Sequence, residues 1–305
     1  MERVYDRELL DFIQSSPSVY HMIAGQKQRL LAAGYTQLLE SEAWELRPGG
    51  KYFITRNGSA IAAFRVPEGP FRGFMIMASH SDSPTLKVKE RPEITVEGAY
   101  KKLNVELYGG ALLAPWFDRP LSVAGRLLRR TAEGVRTCLV DAGRDLVLIP
   151  SLAIHMNREV NAGYAYRVQR DLLPLYGGAE ARDLTVLLAQ EAGVNPEDVL
   201  DHDLFVYDRQ PPSIWGAERE FLSSPRLDDT QCAFASLTGF LESEGGESLP
   251  VHVVFDNEEI GSSTRQGADS TLLADTLRRI TAGLGLDERN YLDTLSQSFL
   301  LSADN

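Results

Sequence analysis

Four short stretches of this 305-residue chain set metal-ligating or acidic side chains just past an apolar run or at the start of a helical pattern. Ala78-Ser79-His80-Ser81-Asp82 follows Phe74-Met75-Ile76-Met77, and Arg226-Leu227-Asp228-Asp229 opens an amphipathic segment. Asp256-Asn257-Glu258-Glu259 follows Val251-His252-Val253-Val254-Phe255, and Ser302-Ala303-Asp304 follows Phe299-Leu300-Leu301. An imidazole among carboxylates is a donor set for a divalent cation, and Asp82 stands where it can hold the other ring nitrogen of His80. Adjacent Glu258 and Glu259 suit a division of labour, one carboxylate ligating and the other taking a proton from an activated water. Each stretch also has an ordinary reading. A histidine after a strand can be hydrogen-bonded structure, Asp228 and Asp229 can be helix N-cap residues, and the two glutamates can be a solvated pair. Asp304 by itself carries almost no information. Nucleophilic catalysis finds no footing, because neither Cys138 nor Cys232 has a histidine signal nearby and no Gly-x-Ser-x-Gly elbow occurs.

Such residues act together only if the surrounding elements converge. The first 45 or so residues read as helical, with apolar positions at helical spacing in RELLDFIQ and in YHMIAGQKQRLLAAGY. Gly34 would close the second helix, and Ser15-Ser16-Pro17-Ser18 would break the two and supply an N-cap. Asn57-Gly58 between apolar runs predicts a hairpin, and FMIMA predicts a strand buried on both faces. From about residue 91 the texture turns to strands and tight turns, including a hairpin tip at Ala132-Glu133-Gly134. A helix near Ala181 to Ala192 and a strand at LFVYD follow. Helix and strand then alternate again through DDTQCAFASLTGFLES, LPVHVVFD, GADSTLLADTLRRITAGLG and SFLL. The pattern predicts an α/β domain formed by residues 1–90 and 223–305, interrupted by a β-rich insertion at 91–222. Ligands bind at the carboxyl ends of strands in open α/β sheets, so three strands and a helix start would deliver the acids and the imidazole to one crevice.

Composition bounds the partners. With 31 Lys+Arg against 43 Asp+Glu the formal net charge is −12, which excludes nucleic-acid or anionic-membrane binding by bulk charge. Hydrophobic residues at 43% and charged residues at 24% match a chain able to bury a core. No apolar run approaches the roughly 18 residues of a membrane span, and the mixed-charge start MERVYDRELLDFIQSS does not read as a signal peptide. Two cysteines exclude a disulfide framework, so a cytoplasmic address is expected.

Taken together, SHSDSPTLKVK, YGGALLAPWFDRPLSVAGR, PSLAIHMNREVN, SSPRLDDTQCAFASL, FDNEEIGSSTRQGADS and SADN resemble the aspartyl aminopeptidase family of dinuclear zinc exopeptidases. The resemblance implies a zinc-peptidase-like α/β sandwich domain interrupted by a β-rich dimerisation domain, in a homo-oligomer built from dimers. It implies two zinc ions: His80 and Asp304 on one, Asp228 bridging, Glu259 on the second. Glu258 would be the general base, and Asp82 would orient His80. His155 would reach the active site of a neighbouring subunit. The substrates would be peptides, trimmed of single N-terminal residues with a preference for Asp or Glu. His21, His202 and His252 match no catalytic position and are expected to be structural or at the surface. YGGALLAPWFDRPLS reads either as a turn with a core cluster around Trp116-Phe117 or as part of the subunit contact.

Family members continue beyond the segment matching SAD into a portion that supplies the last histidine ligand of the second zinc. No histidine follows Asn305 here, so the chain is expected to be a fragment whose second site lacks one protein ligand. The alternatives are a catalytically incomplete oligomeric scaffold or metal-binding homologue, and a dinuclear zinc hydrolase of another amide.

Overall fold

The computed structural model describes residues 5–244 and 246–305. Residues 1–4, part of the mixed-charge start considered above, lie outside them. The chain begins with helices α1 (Asp6–Gln14) and α2 (Val19–Ala32), then strands β1 (Thr36–Gln37), β2 (Lys51–Arg56), β3 (Ala60–Arg65) and β4 (Gly73–His80). It continues through β5 (Thr85–Val96), β6 (Tyr100–Tyr108), β7 (Leu121–Thr131), β8 (Gly134–Asp141), α3 (Val168–Asp171) and β9 (Leu175–Gly178). Next come α4 (Leu184–Glu191), β10 (Val199–Asp208), β11 (Ser213–Trp215) and β12 (Phe221–Ser223). The last part holds α5 (Leu227–Glu242), β13 (Ser248–Phe255), α6 (Leu272–Gly283), α7 (Glu288–Ser296) and β14 (Phe299–Ser302).

Two units result: Met1–Ser83 with Arg226–Asn305, and Pro84–Pro225. The second unit takes in residues that the sequence reading assigned to the first, because β5 already starts at Thr85 and pairs Thr85 with Tyr108 of β6. At the other end Ser213 of β11 pairs with Ser223 of β12, which carries the unit past residue 222.

The first unit is a three-layer α/β/α arrangement around a sheet of order β1-β2-β3-β13-β4-β14. On one face Phe12, Met22, Ile23 and Leu30 of the N-terminal helices pack with Phe234, Leu237 and Phe240 of α5 against Phe53, Ile61 and Val254. On the other, Leu272, Leu277 and Ile280 of α6 and Tyr291 of α7 pack against Phe64, Phe74, Ile76, Val251 and Val253. Each such fully buried side chain contributes about 1.5–3 kcal/mol of transfer free energy. Asn57 and Gly58 both have positive φ (57° and 69°), the primed-turn geometry that joins β2 to β3. Gly34 ends α2 at φ +82°. Ser18 occupies the N-cap position of α2, but its hydroxyl engages His21 Nδ1 at 2.8 Å rather than a backbone N–H.

Two other local expectations change. β4 is not covered on both faces: Phe74, Ile76 and Ala78 are buried while Met75 is 47% exposed, the alternation of a strand whose second face is only partly covered. α7 has no counterpart in the sequence reading, although Asp287 and Asn290 form a reciprocal capping box at its start. No helix among the described residues is long and apolar enough to cross a membrane.

The second unit is an antiparallel six-stranded sheet of order β8-β7-β10-β5-β6-β9, with α4 on its core face. Leu86, Leu103, Leu121, Val123 and Leu204 of the sheet meet Leu184 and Leu188 of α4. Trp116 and Phe117 pack against this core, and Phe117 lies 5.0 Å from the ring of Tyr166. β11 and β12 form a separate small hairpin.

Candidate metal centre

The parallel strands β13, β4 and β14 end side by side, with Phe255 level with His80 and Ser302 level with Ala78. His80, the last residue of β4, is 4% exposed, and Asp82 just beyond it is 1% exposed. His80 Nδ1 lies 3.2 Å from Asp82 Oδ1. With Nδ1 donating there, Nε2 of the neutral ring keeps its lone pair for a cation. That atom faces oxygen on every side: Asp228 Oδ1 at 3.3 Å, Asp304 Oδ1 at 3.5 Å, Asp229 Oδ2 at 3.9 Å and Glu258 Oε2 at 4.0 Å.

Each approach has a local cause. Asp228 and Asp229 depart from helical dihedrals at the head of α5, and the peptide between them is cis. Their carboxylates face the strand ends, where both approach His80. Ser83 Oγ donates to the Asp228 carbonyl (2.6 Å), and Asn305 Nδ2 donates to the Leu227 carbonyl (2.9 Å). Asp304 is carried by β14, whose following residue Ala303 donates its N–H to the Ala78 carbonyl (2.8 Å). Beyond β13, Asn257 takes a left-handed conformation (φ 63°), and Glu258 and Glu259 begin a short 3-10 turn. Asp82 receives both of their backbone N–H groups, from Glu258 on Oδ1 and from Glu259 on Oδ2, each at 3.2 Å. One buried carboxylate thus holds the His80 ring and the glutamate pair together.

Like charges at low solvent access shift the titrations. Burial opposes protonation of His80, but its hydrogen bond to Asp82 and the charges of Asp229, Asp82 and Asp228 outweigh it and raise its pKa to about 9. Burial, with Asp228 and Asp82 nearby, raises Glu259 to about 7. Burial raises Asp229 to about 6 against its hydrogen bonds from Cys232 and His80, and raises Asp228 as well. Both partners, cationic imidazole and reluctant carboxylates, would be relieved by a divalent ion. Among the described residues of this crevice, four buried atoms have no hydrogen-bond partner: His80 Nε2, Asp228 Oδ1, Asp229 Oδ1 and Glu259 Oε1. Ligand atoms of His80, Asp228, Asp229 and Asp304 lie within 4.8 Å of one another. Unsatisfied oxygen and nitrogen donors in one pocket fit a metal such as zinc.

The structure therefore brings together His80, Asp82, Asp228, Glu258 and Asp304 from the sequence reading, with Glu259 beside Asp228. It adds Asp229, a 0% exposed carboxylate whose Oδ2 accepts the His80 backbone N–H at 2.9 Å. The paired aspartates carried that signal, but capping explains such a pair equally well. His155 belongs to the other unit, exposed in the 3-10 turn Ile154–Met156. Of the remaining histidines, His252 is buried in β13 against Gln26, and His21 is bonded to Ser18.

Comparison with known proteins gives a consistent set of similarities. Residues 12–305 match the family model described as aminopeptidase I zinc metalloprotease (M18). A probable M18 family aminopeptidase 2 of Clostridium acetobutylicum is 42% identical over 313 residues, covering 100% of this chain and 72% of the relative. Among solved structures, the Ape4 and Nbr1 complex superposes with a TM-score of 0.92 at 34% identity, covering 98% of this chain and 62% of that one. The S. cerevisiae mApe1 dodecamer superposes with a TM-score of 0.84 at 28% identity, covering 98% of this chain and 70% of that one. The chain thus spans roughly two thirds of the length of these proteins.

Proposed function

The chain belongs to the M18 family of zinc metallo-aminopeptidases, and from that membership we propose that the crevice around His80 removes single N-terminal residues from peptides. The convergence of four potential ligands on one point, with buried donor atoms unpartnered, is the observation that carries this reading. His80 and Asp304 would hold one zinc, Asp228 would bridge, and Glu259 would hold a second. Asp229 offers a further oxygen beside His80. Zinc, when bound, supplies the Lewis acidity that polarises a scissile carbonyl and acidifies water. Glu258 accepts the proton from the attacking water and passes it to the departing amine, so no covalent acyl intermediate forms. Asp82 keeps His80 and the glutamate pair in register through its three contacts. Glu258 and Asp304, with side chains 46% and 55% exposed, give the mouth an acidic rim that favours a cationic N-terminus over an internal peptide bond.

A preference for Asp or Glu at the N-terminus is the finer proposal, supported by the motif resemblance. The neighbour solved as a dodecamer supports a homo-oligomer; the motif resemblance alone supports the second unit as its dimerisation domain and His155 as serving the adjacent subunit's site. Free Cys138 and Cys232 support a cytoplasmic, reducing address. Metal analysis of the purified protein with a panel of aspartyl, glutamyl and leucyl substrates tests the proposal. We expect bound zinc, and faster turnover of aspartyl and glutamyl than of leucyl substrates. Absence of zinc rejects the hydrolase, and faster leucyl turnover rejects the acidic preference.

A further inference from the structure

Glu258 and Glu259 ride on the loop between β13 and α6, and that loop is held from two directions. Asp82 holds its start through two backbone N–H groups. Its far side meets the end of β2. Arg56, the last residue of β2, is 6% exposed, and its Nη1 donates to the Arg265 carbonyl at 3.0 Å. Nε and Nη2 donate to the two carboxylate oxygens of Glu40 at 3.2 and 2.5 Å. Asp275, in the first turn of α6, lies 3.7 Å from Nη2. A buried guanidinium is tolerated only when its donors are satisfied, and the Arg265 carbonyl is the partner that the loop provides.

The residue after Arg265 closes the loop on itself. The Gln266 carbonyl accepts the Asp256 N–H at 3.1 Å, and Gln266 Nε2 donates to Asn257 Oδ1 at 2.9 Å. Thr264 Oγ1 donates to the same oxygen at 2.8 Å. Gly267 runs so close to the returning backbone that a Cβ there would stand 2.0 Å from the Ser262 carbonyl oxygen. Anchoring Arg265 therefore anchors Asn257, and Glu258 and Glu259 follow it directly in the chain.

We infer that Arg56 is a positioning residue: by holding the Arg265 carbonyl it sets the placement of Glu258 and Glu259 without touching substrate or metal. Its effect on catalysis rests on the zinc-aminopeptidase reading; its effect on the loop does not. Arginine suits the task because one planar fork serves Glu40 twice and the carbonyl at once, whereas a lysine ammonium cannot span both.

The test compares wild type with Arg56→Met, Arg56→Lys and the control Thr55→Val, whose lost hydroxyl is bonded to Gln37 and not to the loop. In metal-free protein, amide exchange over residues 256–267 is expected to quicken about tenfold in Arg56→Met, less in Arg56→Lys, and not at all in Thr55→Val. In cobalt-loaded protein the visible d–d band is expected to shift in Arg56→Met, with kcat reduced, KM little changed and partial recovery in Arg56→Lys. Unchanged loop exchange in a folded Arg56→Met overturns the inference, as does equal quickening throughout β2 and β3. Should Arg56→Met fail to fold, unchanged exchange in Arg56→Lys overturns it equally. A wild type that takes up no cobalt overturns the zinc reading, and the exchange result then judges Arg56 alone.

Discussion

His80 is buried, yet its Nε2 looks out only on carboxylate oxygens. That arrangement separates two roles by single substitutions. His80→Ala removes the nitrogen donor around which the carboxylates gather, so bound metal is expected to fall to background in elemental analysis, with the protein still folded by circular dichroism. Glu258→Gln keeps the shape of the side chain but not its ability to accept a proton. It should retain its metal while kcat drops by about 10²–10⁴, the usual worth of a positioned general base. Loss of metal without loss of turnover in the first variant, or normal turnover in the second, would reverse the assignments. Asp229 marks the limit of reading at this scale. Next to Asp228 it looks like one of two cap residues, and only its bond to the His80 N–H shows that it backs the centre.

At the level of elements, the sheet rests on a polar tie that the apolar pattern hides. His252 points from β13 into the core, bonded through Nε2 to Gln26 of α2 at 2.9 Å and stacked on Phe240. Burial lowers its pKa from 6.5 to about 3. The folded state therefore refuses a proton that the unfolded chain accepts below pH 6.5, so this contribution to stability is intact above 6.5 and is lost as pH falls toward 3. Urea unfolding at pH 7 and 4.5 should show wild type losing more stability on acidification than His252→Gln. Equal losses would mean that the ring is protonated in the folded protein. The elements themselves were largely legible. Asn57-Gly58, Gly34 and the 3.6-residue periodicities announced the hairpin and helices, because those signals are local. α7 escaped, since its apolar residues are few and its capping box is short. The partly exposed face of β4 escaped because cover is supplied by other elements.

For the whole molecule, the β-rich unit was visible as a change of texture, while its limits at Pro84 and Pro225 depended on strand pairing. The proposal that His155 serves a neighbouring site makes a prediction that only an assembly can meet. His155→Ala and Glu258→Gln proteins should each be nearly inactive alone. Mixed under conditions that exchange subunits, they should regain activity, because a subunit with intact Glu258 can then receive His155 from its neighbour. Additive residual activity in the mixture would reject the shared site. Sedimentation velocity should likewise show an assembly larger than the 33.8 kDa chain, and a monomer would reject the oligomer.

By itself the sequence determined the residue types of the centre and the order in which they are met, because ligands after strands and at a helix start leave motifs in neighbouring positions. It also determined most element types, whose causes are short-range. Only the tertiary structure decided which donors share a point. Strand order β13-β4-β14 set His80, Glu258 and Asp304 side by side, and the turn at the head of α5 sent Asp229 inward as well as Asp228. Arg56 and Glu40, distant from the catalytic motifs in sequence, became neighbours of the glutamate loop for the same reason: a sheet juxtaposes residues by pairing, and pairing is not written in any one segment.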